Sequence, residues 1–212
     1  MADINIKYPN YRTILDTVKD YLSPKAKITQ LIKNGKLSRI KRNLYINPDD
    51  NSVSLNTLAN IIYSPSYISF EYALSFYGMI PERVEIISSA VYNKKKNKIF
   101  STPLGTFEYR YVNNNIYPYG IIRVSEKENS FLIASKEKAL CDTLSKIASV
   151  ESVKQMSYLL YDDLRIDKEN ILNLNYEDII FFSEIYYQKN IKLLNKLLYK
   201  EKKNAWCNRK YV

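Results

Sequence analysis

The spacing of apolar side chains predicts two consecutive helices near the N-terminus. Between residues 11 and 22 the apolar positions recur three and four residues apart, which is the pattern of an amphipathic helix. Ser23 and Pro24 then form a favourable N-cap and first position for a second helix, which is expected to run to about Asn34. Gly35 suits the left-handed conformation that commonly ends helices, so the second helix is expected to stop there.

A basic hairpin is predicted directly after this glycine. The positions expected to be buried are Leu37, Ile40, Leu44 and Ile46. Arg39, Lys41 and Arg42 are left on the outside, and Arg42-Asn43 is the predicted tip because Asn tolerates a positive φ better than most residues. Two helices followed by a hairpin predict a winged helix-turn-helix. That fold needs three helices and two are evident, so the first is expected to be compressed into residues 9–16. Either the bundle is abbreviated or these helix assignments are incorrect.

Beyond residue 50 the pattern predicts a mixed domain. Helices are expected near residues 55–63 and 69–77, strands at residues 84–91, 99–100, 107–112, 120–124 and 131–134, and further helices from Ser135 to the end. The predicted fold class is therefore α+β, with a winged helix-turn-helix domain at residues 1–50 (the head). The second domain, residues 51–212, is expected to hold a small, mostly antiparallel sheet and C-terminal helices.

The last predicted helix is amphipathic and basic. Its apolar stripe consists of Ile191, Leu194, Leu197 and Leu198. Another side carries lysines three and four residues apart, at Lys189, Lys192, Lys196 and Lys200. The apolar stripe is expected to pack on the rest of the domain.

Charge is concentrated at the two ends of the chain. Residues 7–46 carry +8 of the formal net charge of +10, residues 189–212 carry +7, and residues 47–188 carry −4. A run of charge is usually a solvated face. In the head, however, the helix–hairpin pattern favours nucleic-acid binding, because cations that neutralise phosphates release condensed counterions. For the tail and for the basic loop at residues 93–98, a solvated surface is the favoured interpretation.

The outer face of the second helix carries the candidate base-reading residues. By steps of 100° this face centres on Ala26, Gln30 and Lys33. Gln can bond an adenine edge, Ala lets the helix sit close to the groove, and lysines mostly hold phosphates. A basic wing tip commonly rests on phosphate or reaches into the minor groove. The predicted DNA-binding residues are Lys25, Ala26, Lys27, Thr29, Gln30, Lys33, Lys36, Arg39, Lys41, Arg42 and Asn43.

The composition argues against common catalytic and metal sites. The chain has no histidine, which removes the commonest general base and transition-metal ligand. Cys141 and Cys207 lie far apart without metal-ligand spacing, so free thiols, no metal and no cofactor are expected. No run of eighteen apolar residues and no signal-like N-terminus is present, so no membrane partner and a cytoplasmic location are expected.

Three acids lie on predicted helices beside apolar faces, namely Glu71, Glu137 and Asp142. They form no constellation that commits to a reaction. Lys136 and Lys138 are expected to be solvated at the start of their helix.

Several segments, taken in their order and spacing, carry a resemblance to a known family. They are residues 32–37 with Arg39-Ile40 and Leu44-Tyr45, residues 58–69, Glu71 with Ala73-Leu74, Tyr77-Gly78 and Ile80-Pro81-Glu82, residues 102–107 with Tyr109-Arg110, and residues 132–134 with Glu137-Lys138-Ala139-Leu140 and Asp142. On these segments the chain resembles the AbiEi family of antitoxins from type IV toxin–antitoxin and phage abortive-infection systems. The resemblance covers roughly residues 13–165. The family usually has Gly at the wing tip, where this chain has Asn43.

The resemblance implies a winged helix that binds the promoter of its own operon. It also implies a C-terminal domain that helps repression and counters a nucleotidyltransferase-type toxin without forming a stable complex with it. The function expected is thus that of an antitoxin and transcriptional autorepressor, with duplex DNA as partner and no enzymatic activity. One alternative is an enzyme, either an atypical kinase or a nucleic-acid-modifying activity, with a DNA-targeting head. Another is RNA binding through the same basic face.

Overall fold

The structure, a computed structural model, describes residues 6–94 and 96–209, with side chains as far as residue 203 in the last helix. The helices are α1 (Tyr11–Thr17), α2 (Pro24–Lys33), α3 (Leu55–Ile62), α4 (Phe70–Phe76), α5 (Lys136–Leu144), α6 (Val153–Tyr158), α7 (Lys168–Leu172), α8 (Tyr176–Ile185) and α9 (Lys189–Arg209), and a π-helical turn (Leu159–Asp163) continues α6. The strands are β1 (Ser38–Lys41), β2 (Leu44–Ile46), β3 (Ser66–Ile68), β4 (Ile87–Val91), β5 (Lys98–Thr102), β6 (Gly105–Tyr111), β7 (Ile121–Glu126) and β8 (Asn129–Ala134).

A six-stranded sheet forms the centre of the larger part of the molecule, in the order β5-β6-β4-β3-β8-β7. Three of its pairings are antiparallel, whereas β4–β6 and β3–β8 are parallel. The α+β class is confirmed, and most of the pairings are antiparallel as expected, but the sheet is mixed and larger than expected. The number of strands is larger than expected because the sequence pattern does not predict β3. This strand is three buried residues long, too short to show a period of two.

Helices pack onto this sheet and onto one another around a single apolar cluster. The cluster joins sheet residues such as Ile68 and Ile133 to helix residues such as Leu140. The predicted apolar stripe of α9 belongs to the same cluster, and Ile191, Leu194, Leu197 and Leu198 are all buried. Since fully burying a Leu or Ile side chain stabilises a protein by about 1.5–3 kcal/mol, the stripe fixes α9 on the domain.

The head has the predicted order of two helices and a hairpin around its own small apolar cluster. That cluster consists of Ile14, Val18, Ile28, Leu31, Leu37 and Tyr45. Helix α1 ends at Thr17, five residues earlier than expected, and the turn that follows leaves Leu22 fully exposed. Two helices precede the hairpin in the part of the head that the structure describes. Assignment to the winged-helix class stays a prediction.

The hairpin contributes to two apolar clusters at once. Leu37 and Tyr45 lie in the cluster of the head. Ile40, Leu44 and Ile46 lie in the large cluster around the sheet. The hairpin is therefore packed between the helices of the head and the rest of the chain, and the predicted boundary at residue 50 follows a segment that both parts share.

A second junction holds the segment before α1. The Tyr8 hydroxyl accepts a hydrogen bond from the Ser54 N–H at 3.0 Å and donates to the Ser54 carbonyl oxygen at 3.2 Å. The Asn129 side chain donates to the Ser52 carbonyl oxygen at 2.7 Å. These contacts join the segment before α1 to residues 52–54, and residues 52–54 to the start of β8, so the head is anchored at two places.

Candidate nucleic-acid interface

Helix α2 exposes the predicted base-reading face. Its inner residues Ile28 and Leu31 are buried. On the outer side Lys25, Ala26, Thr29, Gln30 and Lys33 are exposed, and Lys27 is half-buried. The 100° step from residue to residue thus gave the correct outer face, and it leaves small and polar groups where a helix would approach a groove.

Gln30 is already engaged by a neighbour on its own helix. The Lys27 ammonium donates to the Gln30 side-chain oxygen at 3.3 Å and lies 4.7 Å from the centre of the Tyr21 ring. A bidentate contact with adenine uses both the oxygen and the NH2 group of a Gln side chain. A bidentate contact of Gln30 with adenine would therefore require Lys27 to share or release the Gln30 oxygen.

A shallow groove runs along the start of this helix. It is lined by Tyr21, Leu22, Ser23, Ala26, Lys27 and Gln30. The exposed Leu22 side chain places an apolar group beside the candidate reading residues. The sequence pattern missed this, because Leu22 continues the helical spacing of residues 11–18 although the helix has already ended.

The hairpin places two arginines and Asn43 on one side of the head. Asn43 has φ of 64°, as predicted for the tip. Its side-chain oxygen accepts a hydrogen bond from the Tyr11 N–H at 3.0 Å, which ties the tip to the start of α1. Arg39 and Arg42 are exposed beside it.

Lys41 does not lie on the outside of the hairpin as predicted. It is half-buried, and its ammonium donates to the carbonyl oxygen of Ile62, the last residue of α3. The register of the hairpin shifts between Arg39 and Lys41, and such a bulge interrupts the strict alternation of faces. Burial lowers the pKa of Lys41, and the nearby charge of Lys98 lowers it further. Lys41 therefore donates a hydrogen bond to the carbonyl oxygen at the end of α3, which has no partner within the helix.

Four of the cations on this face have no acidic partner among the described residues. Within the residues that the structure describes, no carboxylate forms an ion pair with Lys25, Lys33, Arg39 or Arg42. Lys36 is also exposed. Exposed cations without acidic partners are suited to neutralise the phosphates of a nucleic acid.

A buried polar cluster that the sequence did not reveal lies in the larger core. Lys138, expected to be solvated, is completely buried, and its ammonium lies 3.3 Å from Asp142, which is also completely buried. The carboxylate of Asp142 accepts hydrogen bonds from the hydroxyls of Tyr67 (3.0 Å), Ser69 (2.7 Å) and Tyr186 (2.5 Å). Lys138 in turn donates to the Tyr186 hydroxyl at 2.7 Å.

The environment of this cluster shifts its protonation equilibria. Burial lowers the pKa of Lys138, although the charge of Asp142 opposes this effect. Burial raises the pKa values of Tyr67 and Tyr186, and the Asp142 charge raises them further. A charge pair whose members are each hydrogen-bonded to several neighbours is suited to hold β3, α5 and α8 in one arrangement.

The other acids singled out from the sequence have structural partners as well. One guanidinium nitrogen of Arg110 donates to both carboxylate oxygens of Glu71, and the other donates to Glu108. Glu137 is buried and accepts a hydrogen bond from the Asn175 N–H at 2.8 Å.

The thiol of Cys141 is buried, and burial raises its pKa, whereas the Cys207 side chain lies outside the described part of the chain. Across residues 6–94 and 96–209, the described side chains include no group of three or more His, Cys, Asp or Glu that could hold a metal ion. No helix in that same part of the chain is long and apolar enough to cross a membrane.

Comparison with protein-family models gives no match for this chain, and comparison with the curated proteins gives no significant match.

Proposed function

We propose that this protein is an AbiEi-type antitoxin and transcriptional autorepressor, which acts by binding duplex DNA rather than by catalysis. The observation that carries the DNA-binding part is the exposed basic face of α2 and the hairpin, on which Lys25, Lys33, Arg39 and Arg42 form no ion pair within the described residues. On that face Ala26 and Gln30 lie between lysines, so a small side chain and a hydrogen-bonding amide occupy the position from which bases would be read.

The antitoxin part of the proposal is supported by the sequence motifs. Tyr67, Ser69, Lys138 and Asp142 belong to the segments that resemble the AbiEi family. They meet in the buried cluster of residues 51–212, the part of the chain that holds the six-stranded sheet (the sheet domain). In this proposal the sheet domain counters a nucleotidyltransferase-type toxin in the cytoplasm without a stable complex, while the head occupies the promoter of the shared operon.

The DNA-binding proposal is tested with the intact chain and its own promoter. Fluorescence anisotropy with labelled duplex promoter should show binding that unlabelled promoter displaces far better than shuffled duplex or structured RNA. Equal displacement by shuffled duplex would contradict sequence recognition, and stronger displacement by RNA would favour the RNA-binding alternative.

A further inference from the structure

The base of the hairpin tip forms a small concavity whose lining is rich in hydrogen-bond donors. Tyr11, Arg39, Arg42, Asn43 and Tyr45 surround a volume of ≈ 460 Å³. Arg39 comes from β1 and Arg42 from the tip, and β1 pairs with β2 so that Arg39 lies opposite Tyr45. One surface depression is therefore lined by two arginines from neighbouring parts of one hairpin.

The chemistry of this lining suits an anion. None of the five lining residues is an acid, and neither arginine forms an ion pair within the described part of the chain. The Asn43 side-chain oxygen is occupied by the Tyr11 N–H, which leaves its NH2 group as a donor. Guanidinium groups present a planar fork of N–H donors that matches phosphate oxygens, so two of them suit a single phosphate group.

Two hydrogen bonds fix the position of the hairpin within the head. The Tyr11 N–H bonds Asn43 at the tip, and the Tyr45 N–H donates to the Pro9 carbonyl oxygen at 3.0 Å. Both bonds tie the hairpin to the segment that starts α1. The concavity is therefore preformed, and a phosphate that enters it breaks neither bond.

We propose, on the basis of the DNA binding proposed above, that Arg39 and Arg42 together clamp one phosphate of the duplex backbone in this concavity. The wing then fixes the position of the head on the duplex and reads no base. The two arginines act as one unit, so the loss of either removes most of the contact.

The test is a scan of the promoter with methylphosphonate linkages, which remove the charge of one phosphate at a time. Binding of the wild-type chain should fall roughly tenfold to a hundredfold at one linkage beside the wing, as expected for losing charged hydrogen bonds. Arg39→Ala, Arg42→Ala and the double variant should each bind unmodified promoter with a similar loss and be insensitive to that linkage. Lys192→Ala, an exposed cation on α9, is the matched control and should respond as the wild type does.

Two other results would overturn the clamp. If Arg39→Ala and Arg42→Ala abolish sensitivity to different linkages, the arginines hold separate phosphates. A second set of promoters replaces adenine by 2,6-diaminopurine, which adds an amino group in the minor groove. The wild-type chain should bind these promoters as tightly as unmodified ones. If it binds them more weakly, and Arg42→Ala binds both kinds equally, the tip lies in the minor groove instead.

A third arm separates backbone phosphate from free phosphate. Inorganic phosphate and ATP are titrated into the protein alone and observed by calorimetry. Saturable binding that requires both arginines, with no sensitive linkage in the promoter, would reassign the concavity to a free phosphorylated ligand.

If the wild-type chain binds no promoter at all, the proposed function fails together with the clamp. If it binds without any linkage that depends on both arginines, the clamp alone is wrong.

Discussion

At the scale of single residues, Gln30 and Arg42 are expected to contribute to DNA binding in different ways. Gln30 lies on the outer face of α2, whereas Arg42 lies at the tip of the hairpin. Gln30→Ala should weaken binding to the promoter by about 1–3 kcal/mol and leave binding to random duplex unchanged. Arg42→Ala should weaken binding to both, since phosphates carry no sequence information. Competition titrations measure both effects, and an equal loss on both duplexes for Gln30→Ala would show that α2 does not read bases.

Leu22 leads to a second prediction at this scale. Its fully exposed side chain shares a groove with Ala26 and Gln30, and apolar side chains contact the methyl group of thymine in the major groove. Replacing promoter thymines one by one with deoxyuridine, which lacks that methyl group, should weaken wild-type binding at one or more positions. Leu22→Ala should remove that sensitivity, whereas Leu55→Ala, another exposed leucine, should retain it. Identical thymine-to-uracil profiles for wild type and Leu22→Ala would show that Leu22 contacts no methyl group.

The buried cluster gives a prediction about stability. Removal of one member of a buried ion pair leaves an uncompensated charge and costs about 3–5 kcal/mol. Asp142→Asn should therefore lower the free energy of unfolding far more than Glu128→Gln, which breaks an exposed ion pair with Lys7. Urea denaturation measures the difference. Comparable losses for the two variants would mean that the Lys138–Asp142 pair does not organise this core.

At the scale of elements, Lys41 is expected to stabilise the fold rather than to bind DNA. Its ammonium bonds the Ile62 carbonyl at the end of α3. Lys41→Met should lower the free energy of unfolding by about 1–3 kcal/mol, because that carbonyl loses its partner. The change should leave the salt dependence of DNA binding nearly unaltered, in contrast to Arg42→Ala. If Lys41→Met instead reduces the salt dependence of DNA binding and leaves the free energy of unfolding unchanged, Lys41 belongs to the DNA-binding face as the sequence predicts.

The elements also show which features the sequence could predict. Helix α2 was placed correctly because its start is marked by Ser23-Pro24, its end by Gly35, and its two faces by a regular period. Strand β3 was missed because its determinants are pairings with residues far along the chain. The hairpin bulge lies in a local pairing, but a register shift of this kind leaves no periodic signal in the sequence. Lys138 resembled a solvated lysine at a helix start, since nothing local signals that Tyr186 and Asp142 surround it.

At the scale of the whole molecule, the hairpin packs in both apolar clusters, so truncation at residue 50 is a poor way to separate DNA binding from toxin neutralisation. A chain that starts at residue 51 would lose Ile40, Leu44 and Ile46 from the large core, as well as the contact of Tyr8 with Ser54. Each large-to-small deletion in a core costs about 2–5 kcal/mol, so such a fragment is expected to fold poorly. Failure of that fragment to neutralise a toxin would therefore not show that the head is required.

Substitutions in the intact chain avoid this difficulty. Arg39→Ala/Arg42→Ala changes two exposed side chains and should abolish promoter repression while it preserves growth rescue in cells that express the neighbouring toxin. Lys192→Ala/Lys196→Ala, with the same loss of charge on α9, should preserve both activities. Loss of rescue in the arginine variant, with unchanged stability, would mean that antitoxicity depends on nucleic-acid binding and that the two activities are not separable.

The most direct test of the central claim is the salt dependence of promoter binding by the intact protein. If the basic face of α2 and the hairpin neutralises four to six phosphates, log K should fall against log salt with a slope of roughly −4 to −5. Arg39→Ala/Arg42→Ala should bind less tightly with a shallower slope. No binding at low salt, or a slope near zero that these substitutions leave unchanged, would contradict the claim that this face binds DNA.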